Sequence, residues 1–190
     1  MTSGSWALLL LLWSVFAPAA LGALPADLGS AADTADADRL AAVEERLVAS
    51  VTADPAALAP EDFGTAADAF GKLAGRAREL GVGEARFASL AATGERLRAA
   101  SRAKVRDLEE ATGEDEAALE ALYRSDLWYE INHALSAFGY WRAWALLGVA
   151  QARPAAERMQ LLHRAEAGFK ATSVRILYPG LVQGSWLGLG

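Results

Sequence analysis

Residues 126–152 read DLWYEINHALSAFGYWRAWALLGVAQA, and the next residues, Arg153-Pro154, interrupt them before AAERMQLLHRAEAGFKATSVRIL begins at 155. Leu127, Trp128, Ile131, Leu135, Phe138, Trp141, Ala145 and Val149 recur almost throughout at spacings of three or four, the period of an α-helix. Ser125 stands where an N-cap belongs. Tyr140, Trp144, Leu146 and Leu147 widen the stripe until the last turns are apolar on most sides. Such a helix is buried between neighbours rather than laid on a surface. A second helix is expected from about Ala155 to Leu177, with Met159, Leu162, Ala165, Phe169 and Val174 inward and Tyr178-Pro179-Gly180 ending it. Only a few residues connect the two, so they must fold back antiparallel.

The pattern upstream is also helical. Leu40, Val43, Leu47 and Val51 step at helical spacing until Asp54-Pro55 stops them. A loop holding Pro55, Pro60 and Gly64 is expected next, with Thr65 capping a helix through Ala66, Ala69, Phe70, Leu73, Ala77 and Leu80 to Gly81. Phe87, Leu90, Gly94, Leu97, Ser101, Lys104 and Leu108 mark a third, and Glu114 to Tyr123 a short one. Ala23 to about Thr34 reads as a small, polar linker. The fold class expected is therefore all-α, built of antiparallel helical hairpins.

The first residues are of another kind. Residues 7–16 read ALLLLLWSVF, followed by Pro18 and by small side chains at Ala20 and Gly22. This is the pattern of a secretory signal peptide over residues 1–22, cut near Gly22. The alternative is an uncleaved anchor, for which an apolar stretch broken at Pro18 is short. The chain is expected to be periplasmic or secreted, with no membrane span after cleavage. It has no cysteine, which excludes disulfides, thiolate metal sites and a lipid-modified cysteine anchor. A preference for Arg over Lys and abundant Ala read as a GC-rich bacterial gene.

Composition changes near residue 122. Residues 23–122 hold 20 acidic and 11 basic side chains, a net of −9, while residues 123–190 hold 4 and 7, a net of +3. Every Trp beyond the leader and every Tyr falls in the second stretch. The expected organisation is an acidic helical region over 23–122 and an aromatic-rich hairpin over 123–190, continuing beyond residue 190. The overall charge of −6 argues against nucleic acid as a partner.

Trp144-Ala-Leu-Leu147-Gly148 has the Trp-x-x-Leu-Gly opening of a tetratricopeptide (TPR) repeat, and Ala165-x-x-x-Phe169 with Pro179 is similar to that repeat's second helix and closing proline. The opening recurs at Trp186, Leu189 and Gly190, 42 residues on, a longer period than the family's 34. Gln151 also stands where the family has Tyr. The resemblance covers about residues 126–190. It implies a TPR-like α-solenoid, with an ordinary helical bundle as the alternative, and a protein partner bound on a helical surface.

Candidates for chemistry are few. Glu130-x-x-His133 and Gln160-x-x-His163 imitate the helical spacing of a di-iron site. With a turn at 153–154, however, 144 faces about 163 and 133 faces about 174, so the histidines lie about 16 Å apart along the axis. No phosphate loop, Gly-x-Ser-x-Gly elbow or His-Glu-x-x-His string occurs. The basic run Arg96, Arg98, Arg102, Lys104, Arg106 is interleaved with acids and reads as a solvated mixed-charge face. No catalytic residue, metal ligand or cofactor is assigned. The expected function is a non-catalytic, exported scaffold for protein–protein interaction. The alternatives are a small molecule bound in an aromatic-lined groove around Tyr140, Trp141 and Trp144, or the front part of a longer envelope enzyme.

Overall fold

The computed structural model describes residues 24–173 and residue 188, and those residues form an all-helical fold without strands. Within residues 24–173 seven α-helices follow one another: α1 (Leu28–Thr34), α2 (Arg39–Thr52), α3 (Pro60–Glu79), α4 (Glu84–Thr112), α5 (Glu116–Tyr123), α6 (Asp126–Gln151) and α7 (Ala155–Ser173). A single 3-10 turn, Pro55–Ala57, is capped by the Asp54 carboxylate, which accepts from the Ala56 and Ala57 amides. None of the helices among the described residues is long and apolar enough to cross a membrane. The leader at 1–22, Pro179, Trp186, Leu189 and Gly190 lie outside the described residues.

Two expectations are corrected. The stretch Ala23–Thr34 is not simply a linker, because α1 forms within it and lies on α3. Leu24, Leu28 and Ala32, spaced by four, are all buried. Seven residues do not hold a helix alone in water, so this one exists through the face it buries. Likewise, α3 begins at Pro60 rather than after Gly64. Proline suits the first helical position, where no amide donor is required. Asp62 then accepts from the Ala59 amide at 2.9 Å and from the Leu24 amide at 3.0 Å, so one buried carboxylate caps α3 and ties the chain entry to it. Phe63, just after it, is fully buried.

Local chemistry also sets other helix limits, while the expected end of the last helix at 177–180 lies outside the described residues. The Ser125 hydroxyl accepts from the Trp128 amide and starts α6, and Gly113 ends α4 at a positive φ of 58°, which favours glycine. On α4 the stripe Leu90, Gly94, Leu97, Ser101 and Lys104 faces inward, and the Lys104 ammonium donates to the Ala56 carbonyl at 2.5 Å.

The hub is α6. It packs along both α3 and α4, which touch each other little, and it carries α7 on a further side. Helix α6 comes after the change of composition near residue 122, and α3 and α4 come before it. A continuous hydrophobic cluster runs from Leu24 to Phe169. Close approach depends on small residues. A Cβ on Gly94 would stand 2.9 Å from Arg142 Cβ and 3.2 Å from the Phe70 ring, so α4 meets α6 backbone to backbone there.

Helices α6 and α7 are antiparallel, with Gly168 beside Ala143 and Thr172 beside Gly139. The register differs from the expected one, since Trp144 meets Phe169 rather than residue 163. The connection Ala152–Pro154 adds a turn of its own before α7 starts. His163 is exposed midway along α7, while His133 is half-buried in the first half of α6, its ring 6.5 Å from that of Tyr129. Among the described residues no group of three His, Asp or Glu side chains is placed to hold a metal ion.

Candidate functional site

The aromatic turns of α6 meet α3, the start of α4 and α7 at one place, and a cavity of about 110 Å3 lies there. Trp141 and Trp144, one turn apart, form part of its wall, with Phe87 and Leu90 from α4 and Ala74 from α3. Gly71 on α3 gives Trp141 its space, because a Cβ there would come 2.7 Å from the indole nitrogen. Gly148 does the same for Phe87, whose ring carbons would lie 2.5–2.8 Å from a Cβ at that position. Leu147 and Ala145 complete the apolar lining, and Gln151 and Arg78 supply polar groups.

Trp144 is held on several sides. Its ring stands edge-on to Phe169 at 5.5 Å and to Tyr140 at 6.3 Å. The Arg78 guanidinium lies 4.7 Å from the ring centroid, a cation–π arrangement. The indole N–H is buried and has no hydrogen-bond partner among the described residues. A buried donor left without an acceptor costs about 1–3 kcal/mol. Among the described residues no carboxylate, histidine or hydroxyl lines this cavity.

Of the residues singled out by the repeat pattern, five lie among the described residues, on α6 and α7. Trp144, Leu147 and Gly148 occupy one face of α6, and Ala165 and Phe169, both fully buried, pack from α7. Gly188 reaches the same place, since a Cβ on it would lie 2.6 Å from the Phe169 ring.

Charged groups form separate arrangements that the sequence did not expose. Glu44 of α2 is 3% exposed, and its carboxylate accepts from Arg86 at 3.0 Å, Ser89 at 2.8 Å and Thr93 at 2.5 Å, all on α4. This network ties α2 to α4. Its trace in the sequence is an acid on the apolar side of α2, next to Val43, opposite a helix rich in hydroxyls and arginines. The basic run on α4 is largely engaged: Arg98 and Arg102 lie against Glu95, which also meets Arg142 of α6 at 3.1 Å. The expectation of a solvated face fails at Lys104, which is buried.

A wider groove between α3 and α6 is bordered by Asp68, Lys72, His133 and Trp141. Asp68, hydrogen-bonded to Lys72, raises the lysine's pKa, first through that bond and then through its charge. A third groove, between α6 and α7, is lined by Leu147, Ala150, Gln151, Arg158 and Leu162. Helix α7 beyond it exposes Met159, Gln160, His163, Arg164, Ala167 and Lys170.

Comparison with protein-family models, with curated proteins and with solved structures finds no match to this chain.

Proposed function

We propose that this chain is an exported, non-catalytic helical scaffold that binds a protein partner along the α6–α7 hairpin. The observation that carries the reading is the position of α7. Among helices α1–α6 it packs on α6, and Met159 on its outer surface is 53% exposed, with Leu161 and Leu162 only half-covered. In a helical array the next helix pair covers such a surface, because each unit cannot bury its apolar face alone. The shared contacts of α6 with α3, α4 and α7 also support a hairpin array of the TPR kind, built on Trp144, Gly148, Ala165 and Phe169. Export to the periplasm or medium rests on the apolar leader ending near Gly22.

A photo-crosslinking side chain at Met159, with one at exposed Glu45 on α2 as control, tests the partner. The expected result, in the producing cell, is a discrete adduct of reproducible mass at position 159. It is lost when Leu162→Asp changes the groove while the circular dichroism stays helical. No adduct at 159 beyond that at 45 refutes the reading. N-terminal sequencing of the exported chain should start near Ala23, and a chain starting at Met1 refutes cleavage.

A further inference from the structure

We propose that the cavity beneath Arg78 is a binding site for a compact hydrophobic carboxylate, a cyclic or branched acid of about six or seven carbons. Its volume of about 110 Å3 is of the order of the 150 Å3 cavity that accepts benzene in an engineered protein core. The wall formed by Trp144, Phe87 and Leu90 suits a ring or a branched chain and offers nothing to a polyol.

Charge selects the rest of the ligand. Arg78 is exposed, and its guanidinium lies over the face of Trp144 with no carboxylate partner among the described residues. Among the described residues the cavity lining contains this cation and no anion. A guanidinium pairs with a carboxylate through two parallel hydrogen bonds. Gln151, also exposed, adds an amide donor at the rim. A neutral hydrocarbon would fill the space but gain nothing from Arg78 and Gln151, which water would continue to solvate, and an amine would be repelled by Arg78. The site differs from the outer surface of α7, so its test is separate from that of the partner.

Benzoate is the probe, with toluene and benzylamine as its neutral and cationic counterparts. Each is titrated into the full chain while indole N–H signals are followed by nitrogen-15 NMR. Benzoate should shift the Trp144 and Trp141 signals saturably, and benzylamine should leave them in place. Arg78→Gln, an exposed substitution, should weaken benzoate about tenfold, equivalent to about 1.4 kcal/mol, and leave the toluene response unchanged. Absence of a saturable benzoate shift overturns the site. Equal binding of benzylamine, or undiminished benzoate binding to Arg78→Gln, overturns the carboxylate class.

Discussion

Replacing Gly148 by alanine should destabilise the protein, although alanine is the better helix former. Within α6 the substitution gains at most about 1 kcal/mol from the lower backbone entropy of the unfolded chain. Against this stands the Phe87 ring, whose Cγ would lie 2.5 Å and Cδ atoms 2.6 and 2.8 Å from the new methyl. Carbon atoms settle at about 3.5–4.0 Å, so ring and helix must separate by about 1 Å. Cγ is the root of the ring, not its far end, and a rotation about the ring axis does not remove the contact. Overpacking of this kind costs about 1–3 kcal/mol. The net expectation is a loss of about 1–2 kcal/mol, or a Tm about 3–6 °C lower for a chain of this length. Gly75 on α3 is the matched control, because nothing lies within 4 Å of a Cβ there. Gly75→Ala should raise Tm, so two identical chemical changes should act in opposite directions in the same thermal scan followed at the helical circular-dichroism band. Removing the ring with Phe87→Ala should turn Gly148→Ala from destabilising to neutral or stabilising, a coupling of about 2 kcal/mol. If Gly148→Ala stabilises the protein as Gly75→Ala does, α4 does not approach α6 at that turn and the packing described for the cavity is wrong.

Glu44→Ala strands the buried Thr93 hydroxyl and the Arg86 guanidinium, and urea denaturation should show a loss of about 2–4 kcal/mol; Glu44→Gln, which keeps an acceptor, should lose less. Trp144→Ala should cost about 3 kcal/mol, whereas Trp144→Phe keeps a ring and removes the unpartnered donor, and should stay within about 1 kcal/mol of wild type. Equal losses for the two would show that the indole N–H has an acceptor after all. Partial removal from water, then the hydrogen bond to Glu109 and its negative charge, raises the pKa of the Tyr123 phenol. Its proton is therefore held more tightly in the folded chain, and the stability linked to it is present below the ordinary tyrosine range and lost as pH climbs through the raised value. Ultraviolet difference titration should show one phenol ionising late, and Tyr123→Phe should remove that step; an unchanged profile refutes the contact.

The helical class was legible because its cause is local. The spacing of Leu40, Val43, Leu47 and Val51, the Ser125 cap and the Pro154 break act within a turn or two of chain, and α2, α6 and the start of α7 follow from them. Helix α1 was not legible, since Leu24, Leu28 and Ala32 form a helix only through what they bury on α3. The start of α3 was misread for a similar reason. Gly64 resembles a breaker in isolation, but Pro60 and the doubly used Asp62 carboxylate hold the turn before it.

The aromatic run of α6 illustrates the same division at the candidate site. Periodicity alone establishes that Tyr140, Trp141 and Trp144 share a helix that must be covered on most sides. It does not choose the neighbours, because an apolar stripe is equally well buried by any complementary helix. The tertiary structure decides that α3 and α4 flank α6, that Gly71 and Gly148 admit Trp141 and Phe87, and that Arg78 closes over Trp144. A cavity is the space left between side chains from separate helices, so its shape depends on crossings and registers that appear only when the chain is packed.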